Sequence, residues 1–235
     1  IKDYLRTVKS LDDNIGRVLD YLDKSGLSEN TIVIYTSDQG FFLGEHGFWD
    51  KRLMLEESIR MPFIIRYPGK IKPETKCDDM ILNIDFAPTL LDFAEADIPK
   101  EIQGRSFKKN LMGNTPKDWR ESMYYHYYEY PGWHMVKRHY GIRTDRYKLI
   151  HYYYDIDTWE LYDLKKDPDE MYNRYNDPDY AEIVKELKSK LQELRDKYGD
   201  SKELTQKFLE EQPGELIDIP QRTKEYPQFE HLRRK

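Results

Sequence analysis

Asp38 and Gln39 stand next to each other just past a short apolar run at residues 31–36, TIVIYT. A carboxylate oxygen beside an amide oxygen is a donor pair for a hard cation such as Ca²⁺ or Mg²⁺, not for zinc. Glycines at 40, 44 and 47 let the following segment turn back on itself, so that Lys51 can return to the same place. Ligand sites in open α/β sheets lie beyond the carboxyl ends of strands, which is where this pair falls. On position alone two readings stand: cation ligands, or an Asp38 that caps a turn or helix.

The elements that must hold these residues are legible around them. Tyr4, Leu5, Val8, Leu11, Ile15, Val18, Leu19 and Leu22 recur at three- and four-residue spacing, which predicts an opening helix with Gly26 as its left-handed cap. Residues 31–36 read as a strand buried on both faces, as in parallel sheets covered by helices. A second apolar strand is expected at 63–67, and a helix at 85–94 with Asp85 near its cap and Pro88 in its first turn. From about residue 115 the texture changes to tyrosine-rich alternation, which predicts antiparallel strands. Tyr140-Gly141-Ile142-Arg143 and Tyr147-Lys148-Leu149-Ile150 form the clearest hairpin, followed by a strand at 159–162. Ile183, Leu187, Leu191 and Leu194 mark one face of a helix at 180–198. The remainder, 199–235, is polar and weakly periodic and reads as a tail. The expected domains are therefore 1–118, an α/β layer, then 119–198, a small α+β subdomain, then the tail.

Composition narrows the partners. The chain has 235 residues with 38 Lys plus Arg against 44 Asp plus Glu, a net charge of −6. That balance argues against nucleic acid, which needs a basic excess. No apolar run approaches the roughly 18 residues of a membrane span. The single cysteine, Cys77, cannot form an intrachain disulfide. The first residue is not Met and the opening helix starts uncapped, so the expectation is a chain entered in mid-domain, with no signal peptide at its start.

The string Ser37-Asp38-Gln39-Gly40, then Gly44-Glu45-His46-Gly47, then Lys51 resembles the second signature of the formylglycine-dependent sulfatases of the alkaline phosphatase superfamily. Further pieces follow in that family's order: Glu57-Ser58 with Arg60-x-Pro62, Asp85-x-x-Pro88-Thr89, Gln103-Gly104-Arg105-Ser106, Arg143 to Lys148, and Glu160-Leu161-Tyr162-Asp163. The resemblance covers residues 1 to about 198. It implies an α/β fold, part of a mixed sheet sandwiched by helices, plus a small C-terminal antiparallel sheet packed with one long helix. It implies that Asp38 and Gln39 are calcium ligands and that Lys51 contacts the sulfate and the bridging oxygen. Phosphatases and mutases of the superfamily place His after the Asp and bind zinc or manganese, so Gln39 favours calcium and sulfate ester hydrolysis.

The family's nucleophile, a formylglycine made from a C/S-x-P-x-R motif, has no counterpart here, because Cys77 is followed by Asp78-Asp79-Met80. The resemblance therefore implies an N-terminal part of the same protein that carries it. The segment Trp133-His134-Met135-Val136-Lys137-Arg138-His139 is most similar to bacterial N-acetylglucosamine-6-sulfatase-like glycan sulfatases, which implies a sulfated sugar as substrate. His46, His134, Arg138 and His139 are the candidate substrate contacts; for His46 the alternative is a role in loop structure, and for the others packing in a tyrosine-rich sheet. A phosphodiesterase or phosphonate hydrolase of the superfamily, or a non-catalytic sugar-binding remnant, are the competing readings. A periplasmic or secreted location follows from the resemblance alone.

Overall fold

Successive side chains of a strand point to opposite faces of its sheet, and in this protein that alternation separates two apolar clusters on either side of one sheet. A computed structural model describes residues 1–130 and 134–211. In chain order it contains α1 (Lys2–Lys24), β1 (Val33–Thr36), β2 (Phe42–Leu43), β3 (Trp49–Asp50), α2 (Glu56–Ile59), β4 (Phe63–Arg66) and α3 (Phe86–Phe93). Then follow α4 (Lys108–Leu111), β5 (Ser122–Tyr127), β6 (His139–Thr144), β7 (Tyr147–Tyr152), β8 (Thr158–Asp163), α5 (Ala181–Lys197) and α6 (Lys202–Glu211). The chain divides into two units, Ile1–Asp38 with Met61–Trp119, and Gln39–Arg60 with Arg120–Lys235.

In the first unit, α1 ends as its sequence predicts. Gly26 takes φ +72°, its N–H donates to Asp23 O, and Leu27 N–H reaches back to Leu22 O at 3.0 Å. This is the paired terminus that satisfies the last carbonyls of a helix. Of the apolar stripe of α1, Tyr4, Leu5, Val8, Leu11 and Val18 are exposed and Ile15, Leu19 and Leu22 half-buried, and none of the helix's residues is buried. The strand at 31–36 differs from expectation. β1 pairs antiparallel with β4, Val33 opposite Arg66 and Thr36 opposite Phe63, and Tyr35 and Ile64 are exposed. A β-branched apolar run specifies a strand; it does not specify the direction of its partner. The helix expected at 85–94 is α3, with buried Asp85 at its N-cap position; the Asp85 carboxylate makes no capping bond to α3 but accepts from Leu82 N–H and Arg105 N–H at 2.8 Å each. Gly104 is required beside it, since a Cβ there would lie 1.9 Å from Ile84 O.

In the second unit, β5-β6-β7-β8 form a meander with every neighbour antiparallel. Leu149 and Leu161 face α5 and pack with Ile142, Leu187 and Leu191. Their strand neighbours Ile150 and Tyr162 face the other way and pack with Phe42, Met54 and Leu55. Leu149, Ile142, Ile150, Met54 and Leu161 are all fully enclosed; burying each such side chain is worth roughly 1.5–3 kcal/mol. Gly141 leaves room for this packing, because a Cβ would meet Met54 Sδ at 2.6 Å and Leu149 O at 2.4 Å. The polar tail expected from 199 begins instead with structure. Ser201 starts α6, accepting from Leu204 N–H at 3.1 Å, and the adjacent Asp200 is buried against Arg195, His126 and Tyr124. Residues 212–235 lie outside the described residues.

Candidate functional site

Asp38 closes the first unit and Gln39 opens the second. Asp38 is exposed, two positions past the end of β1, and accepts from Ser37 Oγ at 3.2 Å. Gly40 then packs directly on α2: its N–H donates to Ser58 O at 2.8 Å, and a Cβ would stand 2.0 Å from Glu57 O. No other residue type fits there. The turn that follows uses Gly44 at φ +123°, His46 at +52° and Gly47 at +74°, and returns the chain through the β2–β3 ribbon.

Lys51 sits at the end of that ribbon between two non-glycine residues with positive φ, Asp50 at +116° and Arg52 at +93°. Such conformations cost of order 1–3 kcal/mol each and persist only where the surroundings impose them. The surroundings here are specific. Arg52 N–H donates to Ser58 Oγ and Arg52 O accepts from Tyr125 OH, both at 2.8 Å. The Asp50 carboxylate holds Arg52 Nη1 at 2.7 Å and lies 3.2 Å from His134 Nδ1. Lys51 itself has no carboxylate partner among the described residues. The Lys51 ammonium is thus half-buried on a strained turn.

The four candidate substrate contacts fall into different surroundings. His134 joins the Lys51 turn through Asp50. His46 lies in the glycine turn, 3.6 Å from Glu57 Oε2 and edge-on to Phe42. Arg138 is 5 % exposed, with its guanidinium over the Tyr154 ring at 4.8 Å, and burial lowers its pKa. His139 is fully enclosed, stacked near Tyr125 and Tyr127, with Nδ1 2.7 Å from Lys137 O. Burial pushes its pKa down to about 4, so it is neutral at pH 7. Trp133 lies outside the described residues. Cys77 fits no nucleophile's surroundings: burial pushes its thiol up, and the Asp79 carboxylate adds to this against the opposing hydrogen bond with the Asp79 backbone, whereas a reactive cysteine needs a depressed pKa.

Sequence reading missed one feature of this unit altogether. Lys148, in β7, is fully enclosed, with Nζ 2.9 Å from Glu56 Oε1 and 2.6 Å from Glu170 Oε1. Glu170 Oε2 also accepts from Glu56 N–H at 2.7 Å, and Arg143 lies 3.2 Å from Glu56. The available signal was a lysine inside an apolar strand, at a position whose alternation points it inward.

The donor chemistry of Asp38 and Gln39, carboxylate and amide oxygen, fits a hard cation such as calcium. Among the described residues no three His, Cys, Asp or Glu side chains group as a metal site. Calcium takes six to eight oxygen ligands, so two such residues alone would fill only part of its coordination.

Comparison with known proteins gives the class. Residues 44–197 match the family described as N-sulphoglucosamine sulphohydrolase, C-terminal, and the chain belongs to that sulfatase family. It is 57% identical over 203 residues, 86% of its length, to an N-acetylglucosamine-6-O-sulfatase of Bacteroides thetaiotaomicron, of which it spans 36%. It is similar in structure to BT4656 in complex with its substrate D-glucosamine-2-N,6-O-disulfate, with TM-score 0.82 and 56% identity, over 85% of this chain and 41% of that one. A phosphonate monoester hydrolase of Agrobacterium radiobacter is more distant, at 26% identity and TM-score 0.72, covering 81% of this chain and 40% of that one. The fold is thus that of the sulfatases and their alkaline phosphatase-like relatives.

Proposed function

We propose that this chain serves the hydrolysis of sulfate monoesters on an amino sugar of the glycosaminoglycan type, as one part of a longer sulfatase. The observation that carries the reading is Lys51, an ammonium with no carboxylate partner among the described residues, fixed on a strained turn shortly after Asp38 and Gln39. Asp38 and Gln39 would hold the calcium ion. When bound, that ion supplies positive charge against the sulfate oxygens. Lys51 donates to the sulfate and to the oxygen that leaves with the sugar, so charge developing there meets a preorganised cation. The upstream part would bring the formylglycine nucleophile, for which this chain holds no candidate. His134, beside Asp50, is proposed to meet the sugar, with Arg138 and His46; the fully enclosed His139 packs in the tyrosine-rich sheet instead. A periplasmic or exported enzyme agrees with a polymeric sugar substrate.

The similarity to a phosphonate hydrolase supports a second reading, a phosphoryl-ester hydrolase of the same superfamily. The two separate in one assay. The protein carrying this chain together with its C/S-x-P-x-R segment is given an aryl sulfate, an aryl phosphodiester and N-acetylglucosamine-6-sulfate. Turnover of both sulfates is expected, lost on chelation and restored by Ca²⁺. Lys51→Ala is expected to lower kcat by roughly 10²–10³, the scale for one charge-stabilising donor. Preference for the phosphodiester would favour the second reading. A loss below about threefold would give Lys51 a structural role. Residues 1–235 alone are expected to turn over neither sulfate.

A further inference from the structure

Five positions after Lys51, the chain reaches Glu56 and the enclosed charges around it. Lys148 is 0 % exposed between the Glu56 and Glu170 carboxylates. For stability alone this arrangement is poorly chosen, because well-packed apolar side chains in place of the whole cluster would serve as well or better. What a buried ion cluster adds is directionality: only one placement of Glu56 satisfies Lys148, Arg143 and the Glu170 oxygen on its own N–H. Glu170 is itself held at φ +49°, a strained value for a non-glycine residue, and there its carboxylate meets both Lys148 Nζ and Glu56 N–H.

Between this anchor and Lys51 the backbone has little freedom. Arg52 is bonded at both its N–H and its carbonyl, and Met54 and Leu55 are buried under the sheet. The strained residues Asp50 and Arg52 therefore stand at the free end of a segment whose other end is fixed by charge. We propose that Glu56, Lys148 and Glu170, with Arg143, form a positioning device for Lys51, holding its turn in the strained form that aims the ammonium at the transferred group. The inference rests on the proposed role of Lys51. None of the four residues need touch substrate; each acts through the backbone of residues 50–56.

The test is a double-mutant cycle in the complete enzyme, with kcat per active site and KM measured on an aryl sulfate. Glu170→Gln keeps the shape and an oxygen for Glu56 N–H, and removes the charge facing Lys148. It is expected to lower kcat about tenfold with KM changed less than twofold, since displacements well under 1 Å are costly at a reacting centre. In a Lys51→Ala background the same change is expected to alter kcat less than twofold. Equal factors in both backgrounds, or an unchanged kcat beside a lowered Tm, would overturn the positioning role and leave a purely structural cluster. Should Glu170→Gln fail to fold, Arg143→Lys is read in the same way. It removes the fork that meets Glu56 from a half-buried position. If Lys51→Ala is itself silent, the reading of Lys51 falls first, and this inference with it. If only the cycle is additive, the inference alone falls.

Discussion

Replacing Lys148 with Met keeps the length of the side chain and removes its charge. At an effective dielectric of about 20, a unit charge pair near 3 Å gains roughly 6 kcal/mol, and Nζ has two such partners, at 2.9 Å and 2.6 Å. Against this stands the cost of taking the ammonium and the carboxylates out of water, several kcal/mol per ion. Breaking a buried pair by removing one partner then costs about 3–5 kcal/mol net. Glu56 keeps Arg143, but Glu170, whose side chain is 0 % exposed, keeps no cation. Burial already pushes the Glu170 carboxyl up, opposed by Lys148; without Lys148 it rises further.

A carboxyl raised in the folded state binds its proton more tightly there than in the unfolded chain. Stability consequently falls as pH rises from the unfolded pKa, near 4.3, through the raised folded value. The variant's deficit relative to wild type is therefore expected to be smaller at pH 5 than at pH 8. Urea denaturation followed by far-UV circular dichroism at the two pH values measures both quantities. A deficit under about 1 kcal/mol at pH 8, or one no larger there than at pH 5, would refute the account of Lys148 as a charge the core depends on.

Gly40→Ala is expected to destabilise the second unit by at least about 2 kcal/mol, because the new Cβ would lie 2.0 Å from a backbone oxygen that cannot move aside cheaply; a thermal midpoint equal to wild type would contradict this. Although burial opposes it, bonds from His126 and Tyr124 and the charge of Arg195 hold Asp200 at about 2. That depressed carboxylate contributes roughly 2 kcal/mol above the unfolded pKa, lost as pH falls from about 4 toward 2. Asp200→Asn should thus be less stable than wild type at pH 7 and converge on it in acid, as denaturation at both pH values would report. His134→Ala or Arg138→Ala is expected to raise KM for the sulfated sugar while sparing a small aryl sulfate; equal changes on both substrates would remove these residues from sugar recognition.

The turn that carries the proposed site was legible as a turn because its information is local. Asp38, Gln39, three glycines and Lys51 fall within 14 consecutive positions, and glycine spacing dictates where a chain can reverse. The same holds for α5 and the β6–β7 hairpin, whose apolar periods match the faces they bury. Alternation along β7 even assigns Leu149 and Ile150 to opposite sides. What local pattern lacks is the identity of a partner. The run at 31–36 announced a strand, yet only its pairing with β4 made it antiparallel and half-exposed. The order of residues alone did not tell that Met54 and Leu55 pack beneath Ile150. Nor did it tell that Glu56 N–H bonds a carboxylate 114 positions away. Closing so long a loop costs only slightly more entropy than closing a shorter one, so sequence distance does little to favour one distant partner over another. The choice is made by which charges can be buried together with every bond satisfied, and that is a property of the folded unit.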